Sequence, residues 1–148
     1  MIDETKLEEA VAAYCSFFET LKPETLQCLD MLCHPNVRFR DPFNDVVGVA
    51  SFRAALGRMF EDTREPAFVI TDRAISHRTV YLRWTFSFRS KKTGAPWTID
   101  GMSEVHFDDT DRVTQHLDHW DSGSQFYGRL PVLRHVIGMI RRRLALKD

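Results

Sequence analysis

Residues 79–107, TVYLRWTFSFRSKKTGAPWTIDGMSEVHF, set Trp84, Phe86 and Phe88 on one parity and Arg83, Thr85 and Ser87 on the other. That period of two belongs to a strand with one face turned to a core. After the turn at 91–94 the pattern resumes, with Ser103, Val105 and Phe107 opposing Met102, Glu104 and His106. Extending outward, β-branched and aromatic residues predict four strands over 67–76, 79–90, 97–108 and 112–121. The turns between them are short, so neighbouring strands should run antiparallel.

Upstream the period changes. Leu7, Ala10, Val11, Tyr14, Phe17 and Phe18 recur at steps of three and four, predicting an amphipathic helix with Asp3 as its N-cap. Pro23 suits the first turn of a second, short helix carrying Leu26, Leu29 and Leu32, which should stop at His34-Pro35. Val37, Phe39 and Asp41 then alternate with Asn36, Arg38 and Arg40, placing Asp41 on the apolar face of a strand. A turn-rich stretch follows, and Phe52, Ala55, Leu56, Met59 and Phe60 predict a third helix that runs until Pro66. Three helical segments before a run of long strands is the α+β pattern: a curved antiparallel sheet packed on N-terminal helices, with a C-terminal helical extension.

At 148 residues, 43% hydrophobic and 28% charged, the chain fits one globular domain and leaves no room for a second catalytic domain. No apolar run reaches the roughly 20 residues needed to cross a bilayer, and the acidic start lacks the positive region of a secretory signal, so a cytoplasmic protein is expected. Cys15, Cys28 and Cys33 form no Cys-x-x-Cys and suggest reduced packing residues. Charge is divided unevenly: residues 1–123 carry 14 basic and 20 acidic side chains, whereas residues 124–148 carry 6 basic and 1 acidic. The acidic body, without interleaved basic and aromatic residues, predicts no nucleic-acid partner.

Tyr14, the segment VRFRDP at 37–42 and the closing RVTQHLDHWD at 112–121 resemble the nuclear transport factor 2-like superfamily, specifically its SnoaL-like and ketosteroid-isomerase-related branch. The resemblance spans residues 3–122. It implies a cone in which helices pack inside a bent sheet around a pocket open at one end, and homodimers that pair outer sheet faces. It further implies that Thr114, His116, Asp118 and Trp120 look inward, that Asp41 before Pro42 matches the proton-shuttling aspartate of the isomerases, and that Tyr14 matches their oxyanion donor. Ser103 stands where those enzymes keep a protonated acid. A neutral hydroxyl is a weaker oxyanion donor, so this chain departs from ketosteroid isomerisation. In residue type, though not in matched motifs, His116 and Asp118 resemble the clusters of scytalone dehydratase and limonene epoxide hydrolase.

Each candidate carries two readings. Asp41 is either a general base with a pKa raised by burial or the first residue of a hydrogen-bonded turn around Asn44–Gly48. Tyr14 is either an oxyanion donor or a core tyrosine with a satisfied hydroxyl. His116 and Asp118 are either an acid–base pair or a structural pair closing the pocket floor. A metal would need a second inward histidine, and both His106 and His119 have outward parity, so no metal is expected; acid–base chemistry of this kind needs no cofactor either. Phe39, Trp84, Phe86, Phe88 and Trp120, with Ser103, would form the wall that binds a small hydrophobic ligand. The expected activity is that of an isomerase, cyclase or hydratase acting on a hydrophobic carbonyl or hydroxyl compound, with a non-catalytic ligand-binding or interaction module as the rival.

The tail at 124–148 reads as a basic amphipathic helix broken at Pro131. Three roles fit it: a lid on the pocket, packing on a dimer mate, or attachment to an anionic membrane surface. Lid or packing is favoured, because membrane attachment would leave the apolar stripe exposed whenever the protein is free.

Overall fold

A computed structural model describes residues 3–147. Helix α1 spans Glu4–Glu19; Asp3 caps it by accepting the backbone N–H of Lys6. Its buried face, from Leu7 through Val11 and Tyr14 to Phe18, lies in the core within the sheet's concavity. A 3-10 turn at Pro23–Cys28 and the single-turn α2, Leu29–Leu32, follow.

Strand β1, Cys33–Arg40, begins earlier than His34-Pro35 suggested. The residue before a proline is driven to extended backbone, and a proline within a strand needs a gap in the ladder. Such a gap lies between Cys33 and Arg38, where the register of β1 against its neighbour shifts. Strand β2, Asp45–Val47, was hidden in the turn-rich stretch; it pairs with β1, and Arg38 clasps Asp45 across the pair through Nε and Nη2 at 2.9 and 2.8 Å. Helix α3 covers Val49–Asp62 and buries Phe52 and Leu56. It ends before Pro66, and strand β3, Thr63–Ser76, starts at once, bulging at Glu65 (φ +52°) and Pro66 to absorb the proline.

Strands β4, Thr79–Ser90, β5, Pro96–Phe107, and β6, Val113–His119, complete a six-stranded sheet of order β2-β1-β6-β5-β4-β3. The pairs joined by short turns are antiparallel, as expected. β1 and β6, separated by most of the chain, pair in parallel and make the curved sheet mixed. One bulge corrects the parity expected for β6. Val113 pairs with Phe107 and Gln115 with His106, leaving Thr114 as the extra residue; Val113, fully buried, takes the core position instead. Beyond Thr114 the expected parity returns, with His116 3% exposed and Trp120 packed on the core.

The basic tail divides into two parts. Helix α4, Ser122–Gln125, and a 3-10 turn, Tyr127–Arg129, dock on the sheet edge, where Gln125 accepts from the backbone N–H of Asp100 at 2.7 Å and donates to its carbonyl at 2.9 Å. After a link containing Pro131, helix α5 covers Leu133–Leu144.

Candidate active site

His116, on the inward parity of β6, is buried inside the cone. Its Nδ1 lies 2.6 Å from the hydroxyl of Tyr14 on α1, and its Nε2 lies 2.8 Å from Oδ1 of Asp118. A carboxylate can only accept, so these partners assign the Nε2–H tautomer, with Nδ1 accepting from Tyr14. The same Oδ1 accepts from the Ser103 hydroxyl at 2.5 Å, and Ser103 accepts from the indole N–H of Trp84 at 2.8 Å. Five side chains thus form one hydrogen-bonded chain, Tyr14–His116–Asp118–Ser103–Trp84, with the rings of Phe18, Phe39 and Phe52 packed around His116. Burial on this scale demands that every polar atom be paired, and no buried side-chain polar atom among the described residues lacks a partner.

Ser103, His116 and Asp118 line a small recess of about 40 Å³ with Phe18, Phe39 and Trp84. A cleft of about 620 Å³ shares the Phe39, Phe68, Trp84 and Asp118 walls and adds Asp41, Phe86, Phe88 and Trp120. The cleft is large enough for a small organic molecule; the recess would admit no more than a water or a substituent. Asp118 belongs to both. It meets Ser103 and His116 through Oδ1 alone, and Oδ2 accepts no hydrogen bond among the described residues.

Asp41 stands at the end of β1. Its Oδ1 accepts from the backbone amides of Phe43 at 2.8 Å and Asn44 at 2.7 Å, and from the Asn44 side chain at 3.1 Å. That is a turn-forming aspartate, yet one that also lines the cleft. Burial raises its carboxyl above the ordinary value of 3.8; the three donors oppose that rise, and the nearby Asp118 charge adds to it.

The expected residues are therefore distributed as follows. Asp41 and Asp118 share the cleft; His116 and Ser103 support Asp118 from the recess; Phe39, Trp84, Phe86, Phe88 and Trp120 form the wall. Tyr14 is 1% exposed and lines neither space; its hydroxyl is committed to His116, which corrects its expected place as an oxyanion donor facing the ligand. Burial holds that hydroxyl well above the ordinary tyrosine value, so it stays protonated. Sequence reasoning missed Phe43, Arg58 and Phe126, which also line the cleft. No local sequence signal marks Phe126, which meets aromatic rings from distant segments: its ring lies 5.2 Å from Phe43 and 5.8 Å from Trp97, and Arg129 sits 5.0 Å above Trp97.

The family model for the SnoaL-like domain matches residues 14–116. The chain belongs to the SnoaL-like family. Among solved structures, this SnoaL-like domain superposes on an epoxide hydrolase of the limonene epoxide hydrolase-like type from Mycobacterium tuberculosis, with TM-score 0.66 and 17% identity over 97% of this chain and 96% of that one. It superposes on a protein assigned as a SnoaL-like polyketide cyclase from Shewanella denitrificans, with TM-score 0.66 and 20% identity over 83% and 98%. A protein of ketosteroid isomerase-like fold from Catenulispora acidiphila gives TM-score 0.68 and 14% identity over 79% and 88%. At these identities the likeness establishes the nuclear transport factor 2-like fold. No functionally curated protein matches the chain.

Proposed function

We propose that this SnoaL-like domain is a cofactor-independent acid–base enzyme of the isomerase, cyclase or hydratase kind, acting on a small hydrophobic carbonyl or hydroxyl compound held in the cleft. One observation carries the reading: Asp41 and Asp118 line one largely apolar cleft in unlike surroundings, a cleft whose lining also includes Asp62 and Arg58. Two carboxyl groups in one cleft can divide the roles of base and acid. Asp118, steadied by Ser103 and the His116 N–H, takes a proton from the substrate through Oδ2. Asp41, raised by burial, returns one to the oxygen or carbon where negative charge accumulates. His116, with Tyr14 behind it, is a positioning residue. Neighbours of the same fold described as an epoxide hydrolase and a SnoaL-like polyketide cyclase support the reading by analogy of fold.

The test is deuterium exchange into the α-carbon of bicyclic aromatic ketones, followed by proton NMR, with binding read independently from tryptophan fluorescence. Wild type should accelerate exchange, and Asp118→Asn and Asp41→Asn should each lose about 10²–10⁴-fold while still binding. Binding with no exchange by wild type would make the domain a hydrophobic-ligand carrier.

We also infer a homodimer across the outer sheet face. Val69, Tyr81 and Met102 are 53%, 39% and 46% exposed there, interleaved with Arg83, Thr85 and Glu104, a mixed apolar and polar face that a second copy would cover. Sedimentation velocity checks it, and Tyr81→Glu with Met102→Glu should yield monomers.

A further inference from the structure

Helix α5 carries its apolar residues, Met139 excepted, on one side and has little to pack against. Leu133, Val136, Ile137, Ile140 and Leu144 recur at steps of three and four, a stripe facing one direction. The 127–129 turn is its one substantial packing partner among the described residues. Val136, Ile140 and Leu144 accordingly remain 44%, 53% and 80% exposed, and Leu146 just beyond is 98% exposed. The lid or packing role expected for the tail is met only by its first part, α4 and the following turn, where Phe126 lines the cleft.

Charge around the stripe is of one sign. Residues 122–147 contain six basic side chains and no acidic one. At 100° per residue, Arg134 and Arg141 border the stripe on one edge and Arg143 on the other, while Arg142 lies opposite. No ion pair among the described residues engages these four arginines. The helix also lacks the length and apolarity to cross a membrane.

We propose that α5 is an interfacial helix that docks the protein on anionic lipid bilayers, its apolar stripe sunk to acyl-chain depth and its flanking arginines paired with lipid phosphates. A helix with a continuous apolar stripe, and a remaining surface that is mostly polar and rich in arginine, is the type that lies in the plane of a bilayer. Arginine stems follow the apolar surface while their guanidinium groups reach the headgroups. A second copy is the poorer occupant. A helix about 18 Å long and 10 Å across offers a footprint of a few hundred Å² at most, short of the roughly 800 Å² per partner of a stable interface. A bilayer requires no shape complementarity, and an entirely basic surround suits an anionic sheet of charge.

The experiment is co-sedimentation of the full chain with vesicles of phosphatidylcholine alone or with 30 mol% phosphatidylglycerol. Binding should be at least tenfold tighter to the anionic vesicles in low salt, and should weaken at 0.5 M NaCl. Arg141→Glu/Arg142→Glu/Arg143→Glu should abolish it, as should Val136→Asp/Ile140→Asp, with melting temperatures unchanged because these side chains are exposed. A Leu144→Trp reporter should shift to the blue on anionic vesicles. Failure of wild type to bind anionic vesicles overturns the proposal. So does binding that survives Val136→Asp/Ile140→Asp, which would reduce α5 to a generic polyanion patch, or self-association in solution that the same double variant removes. None of these readouts depends on turnover, so the proposal stands or falls apart from the catalytic reading.

Discussion

Trp84 and Gly101 face each other across β4 and β5, and the indole occupies the space a side chain at 101 would need: a Cβ there would come within 2.5 Å of Trp84 Cη2 and 2.6 Å of Cζ2. The missing side chain is what lets the ring lie across the neighbouring strand with its N–H on Ser103, which in turn holds Asp118. Gly101→Ala should therefore destabilise the fold by about 1–3 kcal/mol through overpacking and dislodge the indole. Urea denaturation gives the first quantity, and a changed Trp84 fluorescence environment reports the second. An unaltered midpoint would mean that the strand yields at no cost.

Tyr14 and His116 stand 102 residues apart in sequence and 2.6 Å apart at their polar atoms. Removing the hydroxyl in Tyr14→Phe leaves a buried ring nitrogen without its donor, at a cost of about 1–3 kcal/mol. His116→Leu removes the other partner. The two changes together should cost less than the sum of the single variants by about 0.5–3 kcal/mol, the deviation expected of residues in one network. Strict additivity in the double-mutant cycle would show that the short contact contributes nothing to stability.

That pair also marks where reading the sequence stops. Periodicity located α1, α3 and the four long strands, because each buries a regular stripe and local sequence determines its period. It placed Trp84, Phe86 and Phe88 on the concave face for the same reason. Where proline or an inserted residue breaks the ladder, at Pro35, Pro66 and Thr114, boundaries or parity moved, since how the ladder resumes past the break depends on the partner strand as well as on the residues themselves. β2 was too short to show a period. Asp41 forms the turn its sequence context suggested and also lines the cleft. No local signal could show that Tyr14 spends its hydroxyl on His116, because the helix that carries it is fitted to the sheet only by tertiary packing.

The three thiols should differ sharply in reactivity. Cys15 and Cys33 are buried, and burial pushes both thiols up, that of Cys33 to about 12. Cys28 is exposed. Since the thiolate is the reacting species, native protein at pH 8 should release one equivalent from a disulfide reagent rapidly and the remaining two only on unfolding. Loss of the rapid phase in Cys28→Ser assigns it; two rapid equivalents in the native state would contradict the burial of Cys15 or Cys33.

Asp41 should leave a mark on stability against pH. Burial raises its carboxyl above 3.8 in the folded chain, so folding favours the protonated form. The stabilisation linked to that proton is fully present below 3.8 and is lost as pH rises through the raised value. Asp41→Asn keeps a side-chain oxygen for the amides of Phe43 and Asn44, so the turn survives, but the residue no longer titrates. Relative to this variant, wild type should therefore weaken steadily as pH climbs from 3.8 toward neutrality, a trend read from urea midpoints of both proteins across that range. A difference that stays flat with pH, or that moves in wild type's favour, would mean the turn's hydrogen bonds outweigh burial, and the carboxyl would then be unsuited to deliver a proton in the cleft.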